Sequence, residues 1–315
     1  MSIRILGTGS YIPEKVMTNA DFEKFLDTSD EWIVKRTGIH RRHIADGMLN
    51  AEMAQIAAER ALEMAGVSVS ELGAIICASV TNELQVPSIA CQLVRSMGAS
   101  CPAFDVNAAC TGFMYALKTA AGLILQEPKP VLVVGTETLS RLMDYTDRTT
   151  CILFADGAGA AVVGPGENLK YFKLYAIPDT DHSLEIPGLN NGLEKGQPEY
   201  SFVKMDGKAI YVFATREVPR IVQEALDTLG WAPEEVDRMV AHQANIRILE
   251  SASKRLNIPM EKFYSNIDEV GNTSSASIPI LMDEMNRKGM FKPGDKVILV
   301  GFGGGLTLAC AAFEW

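Results

Sequence analysis

The chain has 315 residues, 47% hydrophobic and 22% charged, enough for one large or two medium globular domains. No apolar run reaches the ~18 residues of a membrane span, and a net charge of −10 without a basic stripe argues against nucleic-acid binding. The six cysteines contain no C-x-x-C pair, so the common zinc and dithiol signatures are absent.

The first stretch, "MSIRILGTGSYIPEKVM", has no apolar signal core, and a cytoplasmic protein with free thiols is expected. Its "GTGSYIP" (7–13) imitates a dinucleotide fingerprint, but Ile12 replaces the third glycine and Pro13 follows, so no nicotinamide site is expected. Residues 28–50 read as a polar loop, with His40 and His43 solvated in "GIHRRH". Residues 61–78, "ALEMAGVSVSELGAIICA", read as a helix end, a glycine, an acidic turn and an apolar strand. "SIACQLVRSMG" is helical, "PAFDVNAAC" reads as a strand ending at Cys110, and "TGFMYALKTAAGLILQ" has the apolar spacing of a long helix.

The same order then recurs. "KPVLVVG" (129–135) returns as "DKVILVG" (295–301), and 61–78 return as "ALDTLGWAPEEVDRMVAH" (225–242). Between them lies 178–208, a polar, Gly- and Pro-rich stretch that reads as a surface excursion holding His182. "IRILESASKRLN" is helical, "KFYSNIDEVGN" reads as a strand running to Asn272, and "SSASIPILMDEMNRKG" as a helix. The chain is thus a duplicated layered α/β unit, with halves 1–165 and 166–315 and an internal pseudo-two-fold. Cys110 and Asn272 fall at equivalent strand-to-helix turns.

Three side chains in this frame suit catalysis. Cys110 precedes a good helix, whose N-terminal dipole lowers a thiol's pKa and favours the thiolate. His242, alone among the four histidines, closes an apolar strand, where α/β folds place their sites. Asn272 carries an amide that can donate to an oxyanion without titrating. "GFGGG" (301–305) lacks the Gly-Lys-Ser/Thr ending of a phosphate loop and reads as backbone donors set against a carbonyl oxygen. No G-x-S-x-G elbow is present.

Six segments resemble, in order, the β-ketoacyl-[acyl-carrier-protein] synthase III family: "DEWIVKRTGIHRRHIA" (30–45), "AACTGF" (108–113), "DRTTCILFADGAGAAVV" (147–163), "AHQANIRI" (241–248), "GNTSSASIP" (271–279) and "GFGGG". The resemblance spans essentially the whole chain. It implies a thiolase-like fold, a homodimer and a triad of Cys110, His242 and Asn272 that condenses an acyl-CoA primer with malonyl carrier protein through an acyl-cysteine. It implies backbone oxyanion donors at Cys110 and Gly304, and coenzyme A contacts at Thr28, Trp32, Arg36, Arg148, Gly207 and Asn245, with the adenine between Trp32 and Arg148. CoA enters as a substrate thioester, and no cofactor or metal is implied. The acidic carrier protein would meet Gln243, Ala244, Asn245, Ile246, Arg247, Lys254 and Arg255. Val86, Leu139 and Phe302 would line the acyl pocket, Val86 leaving room for longer or branched primers. The alternative in the same fold is a specialised secondary-metabolite enzyme with another primer or a CoA-bound extender. A non-catalytic acyl-binding protein would be expected to lack part of the triad, and all three residues are present.

Overall fold

The computed structural model describes residues 2–188 and 202–315. Two sheets divide the chain between them. The first has the order Ser2–Tyr11, Asp156–Gly166, Val131–Thr138, Ala74–Ala78, Ala103–Val106, two antiparallel pairings followed by two parallel ones. The second has the order Leu169–Ala176, Thr307–Glu314, Lys296–Gly303, Arg238–Ala241, with the same run of antiparallel and then parallel pairings. A single parallel bridge from Met239 to Phe263 stands where a fifth strand would.

Side chains alternate along each central strand and so feed two cores. Val131 and Val133 face the middle cluster, while Leu132 and Val134 face an outer one. Val297 and Leu299 likewise face the middle, with Ile298 and Val300 outside. The middle cluster holds helices Gly112–Gln126 and Ser277–Arg287 between the sheets. Helices Asn50–Ala65 and Ile89–Met97 cover the first sheet, and Gly207–Leu229 and Ile246–Leu256 the second. The result is a layered αβαβα stack. The first helices of the two outer layers both stop at a glycine in the left-handed region, Gly66 (φ 62°) and Gly230 (φ 67°), the pair the sequence repeat aligns.

Several local expectations change. The 28–50 loop contains helix Asp30–Thr37, capped by the Ser29 side chain accepting from Trp32 N–H, and strand Arg41–Ile44 paired with Lys15–Thr18. His43 is half-buried there and bonds the Pro13 carbonyl, whereas His40 and His182 are exposed. The strand before Cys110 ends at Val106, and Cys110 sits in a short 3-10 turn, Ala109–Thr111. The strand expected before Asn272 shrinks to the Phe263 bridge and a helical turn, Ile267–Val270. There Asn266 N–H donates to the Gln243 side chain rather than to a neighbouring strand. Of the 178–208 excursion, Leu184–Glu185 pairs with Lys204–Met205, and residues 189–201 lie outside the described residues.

The layers touch where a side chain would not fit. A Cβ on Gly135 would lie 2.3 Å from the Ser275 carbonyl oxygen. Gly135→Ala is therefore expected to cost more than about 2 kcal/mol in urea unfolding, since neither partner is a flexible side-chain tip.

Candidate active site

The central strands end on a common cavity of about 500 Å3, at their carboxyl ends, the usual site position in α/β sheets. Cys110 lines it, together with Asn107, Ser274 and Gly304. The preceding Ala109 takes φ 47°, a conformation unusual for a side-chain-bearing residue. Cys110 is 8% exposed. Burial pushes its thiol up to about 11, the nearby Glu137 carboxyl adds to this, and a hydrogen bond with Ser274 opposes it. This corrects the expectation of a lowered pKa. Cys110 stands before the helix rather than in its first turn, and burial is the largest influence on its thiol, so the resting group is neutral.

Strand Lys296–Gly303 brings the second half to this thiol. A Cβ on Gly303 would lie 2.9 Å from Cys110 N, so only glycine lets the strand end reach the turn. His242 N–H donates to Val300 O at 2.8 Å, and its ring meets Phe302 edge-on at 4.9 Å. His242 is 1% exposed, burial pulls its pKa down to about 3, and neither ring nitrogen has a partner among the described residues. The imidazole is neutral, with one nitrogen to accept a proton and one to donate.

Asn272 is fixed by its backbone, which donates to Leu153 O at 3.0 Å and accepts from Ala155 N–H at 2.9 Å. Its Oδ1 accepts from Ser274 N–H at 2.9 Å, which leaves the Nδ2 donor uncommitted among the described residues. The same turn carries the Ser274 that bonds Cys110.

A second cluster lies among the CoA candidates. The guanidinium carbons of Arg36 and Arg148 lie 4.5 and 5.2 Å from the Trp32 ring centre. Arg148 also donates to the Asp27 carbonyl and pairs with its carboxylate at 3.2 Å. Thr28 Oγ1 is buried without a partner among the described residues, and Asn245 donates to Arg36 O at 2.8 Å while capping its own helix. Gly207 opens an exposed helix start behind Asp206. Fully buried Arg42 bonds Ile152 O and Asn19 Oδ1, joining the segments that bear Arg148 and Trp32.

Three placements need correction. Val86 is 85% exposed and does not line this chain's cavity, so the inference from its size to primer length loses its ground here. Phe302 packs behind His242 rather than lining the cavity; Leu139 does line it, with Val80, Phe154, Leu184, Ile186 and Val203. Gln243 is 1% exposed, locked between Asn266 and Ser265, and cannot meet a protein partner. Ala244 and Ile246 pack against the outer core of the second sheet, whereas Arg247, Lys254 and Arg255 are exposed. Ser274 and Glu137 were not foreseen. Glu137 had a signal, a lone carboxylate in the apolar run "VLVVGTET".

Comparison with known proteins gives a consistent result. Family models described as 3-oxoacyl-[acyl-carrier-protein (ACP)] synthase III match residues 104–177, and its C-terminal model matches 226–315. The β-ketoacyl-[acyl-carrier-protein] synthase III of Clostridium acetobutylicum is 43% identical, covering 100% of this chain and 99% of the relative. The synthase III 1 of Bacillus anthracis is 46% identical over the same shares. The crystal structure of the Aquifex aeolicus synthase III superposes with a TM-score of 0.93 at 40% identity, covering 99% of this chain and 100% of that one. The priming β-ketosynthase of the R1128 polyketide pathway reaches 0.92 at 34% identity, covering 99% and 95%.

The buried imidazole makes a pH prediction. His242 binds a proton near its ordinary value when unfolded but only near 3 when folded, so the unfolded state holds more protons between those values. Stability therefore falls as pH drops below about 6.5, by up to about 1.4 kcal/mol per unit. Urea unfolding of His242→Gln across this window is expected to lack that component.

Proposed function

This chain belongs to the β-ketoacyl-[acyl-carrier-protein] synthase III family, condensing acyltransferases of the thiolase fold, and from that premise we propose that it joins an acyl-CoA primer to malonyl carrier protein through an acyl-Cys110 intermediate. The observation that supports the reading is that a buried thiol and a buried imidazole, the latter with both nitrogens unclaimed among the described residues, pack against the same strand, Lys296–Gly303.

The resting pair is neutral, so the thiol loses its proton as it attacks rather than before. Cys110 sulfur bonds to the thioester carbon, its proton passes by way of His242 to the departing CoA sulfur, and the acyl-enzyme remains. The carbonyl oxygen gains charge in this step, with backbone N–H groups of Cys110 and Gly304 as its donors. Malonyl carrier protein then replaces CoA. Loss of carbon dioxide leaves an enolate whose oxygen needs two hydrogen bonds. A neutral His242 supplies one N–H and the uncommitted Nδ2 of Asn272 the other. The depressed His242 pKa suits this role, because the ring stays a hydrogen-bond donor without becoming an imidazolium. The carbanion attacks the acyl-Cys110 carbonyl, the thiolate leaves, and it takes up one proton from solvent by way of His242, which balances the proton carried off on CoA. The products are 3-ketoacyl carrier protein, carbon dioxide and CoA.

The remaining parts of the reading follow from charge and exposure. Trp32, Arg36, Arg148, Thr28, Gly207 and Asn245 form the CoA site. Arg148 already rests on the indole at 5.2 Å, and an adenine between them has to lift it, exchanging its contact with Asp27 for the nucleotide. Arg247, Lys254 and Arg255 have no ion pair among the described residues and offer a local basic face on an acidic protein. The edge strand Ala103–Val106 has a sheet partner on one side only and exposes Phe104, which supports a homodimer through this edge. Among the described residues no helix is long and apolar enough to cross a membrane, and we take the enzyme to work in the cytoplasm.

Incubation with acetyl-, butyryl- and isobutyryl-CoA, read by intact mass, is expected to add one acyl group to the chain and none to Cys110→Ser. An acylated Cys110→Ser variant would overturn the assignment. Condensation with malonyl carrier protein but not with malonyl-CoA separates this reading from an enzyme with a CoA-bound extender. Trp32→Ala is expected to raise KM for acyl-CoA by about tenfold with a smaller change in kcat, the loss of one stacking and cation–π contact.

A further inference from the structure

Glu137 lies near the carboxyl end of the central strand Val131–Thr138, fully buried, beneath the turn that carries Ser274. Its oxygens differ. Oε2 accepts from Thr81 Oγ1 at 2.7 Å, Val80 N–H at 3.1 Å and Ser79 Oγ at 3.3 Å. The Thr81 hydroxyl oxygen itself accepts from Asn50 Nδ2 and Thr138 N–H, so its own proton is directed to Glu137. Oε1 faces Ser275 Oγ at 2.8 Å and shares the Val80 N–H at 3.3 Å. That hydroxyl also lies 3.0 Å from the Ala78 carbonyl oxygen. Ser275 has one proton and two acceptors. An ionised Glu137 leaves one of those two close contacts without a hydrogen. A proton on Oε1 resolves both, because Glu137 then donates to Ser275 and Ser275 donates to Ala78.

We infer that Glu137 is held as a carboxylic acid that donates to Ser275, and that loss of this proton both sets a negative charge against Cys110 and loosens the Ser274–Ala276 turn. Glu137 is thus a positioning residue acting through Ser275 and the thiol. Burial favours the neutral acid and the hydroxyl and amide donors oppose it, leaving its pKa raised to about 7, inside the working range of an enzyme. No cation lies against it among the described residues. The facing titratable groups are Cys110 from the Ala109–Thr111 turn and Cys77 from strand Ala74–Ala78, both pushed further up by its charge. Asp156, on the adjoining strand, turns its carboxylate to Ser140 and Ala45 instead. The helix starting at Asn50 and the 274–276 turn contribute only amide and hydroxyl groups to the cluster.

The inference rests on Cys110 being the nucleophile, so the test reads the thiol without using acyl transfer. In Glu137→Gln the amide can donate to Ser275 while its oxygen accepts from Thr81, as the neutral acid does. Iodoacetamide labelling of Cys110, followed by peptide mass spectrometry, is expected to be about threefold faster in Glu137→Gln than in the natural chain at about pH 8.5, where removal of the charge eases thiol ionisation, and equal at about pH 6. A rate ratio that does not change between the two pH values overturns the inference. The natural chain gives an independent reading. Its infrared spectrum should show a protonated carboxylic C=O band that disappears as pH rises through about 7 and is missing in Glu137→Gln. No such titrating band means that Glu137 does not change its protonation across this range and the inference fails, whatever becomes of the acyl-enzyme.

Discussion

Everything at the site depends on backbone meeting backbone across the middle of the stack. Gly303 lets an inner strand of one sheet touch the Cys110 turn, and Gly135 lets the central strand of the other touch the Ser275 carbonyl. Each half thus closes on the strand-to-helix turn of its counterpart. A methyl group at Gly303 would push strand Lys296–Gly303 off the Cys110 turn, and one at Gly135 would push the Ser275 carbonyl off the strand beneath it. The middle helices are the consequence, since both begin at these turns and their apolar faces fill the space between the sheets.

That closure also sets the electrostatics. Burial takes Cys110 and His242 largely out of water, so both rest neutral, one pushed up and the other pulled down by the same desolvation. A neutral pair suits a reaction in which a proton must move with the attacking sulfur and an enolate oxygen must later find donors. A permanent thiolate–imidazolium pair would favour the first step and compete with the second. Glu137 lies within the same dry volume, which gives the neutral site a means of sensing pH.

Much of this was legible in the residues. Alternating elements and a repeated segment indicate two stacked sheets, because an α/β unit written twice has to bury two sets of faces. Cys110, His242 and Asn272 stood out because each ends an apolar strand or begins a helix, where chemistry-bearing side chains are exposed to a site rather than to a core. What was not legible depends on contacts far apart in sequence. Nothing local says that Gln243 turns inward to Asn266, that Phe302 backs a histidine sixty residues earlier in the chain, or that Val86 points away from this cavity. The Cys110 pKa was misjudged for the same reason. Helix position can be read from sequence, whereas desolvation by the opposite half cannot.

The two-step chemistry is tested most directly by rapid mixing with acyl-CoA alone. CoA should be released in a burst stoichiometric with protein before any malonyl donor is added, and Cys110→Ser should show no burst. CoA release that waits for the malonyl carrier protein would contradict an acyl-Cys110 intermediate and require the two substrates to react directly.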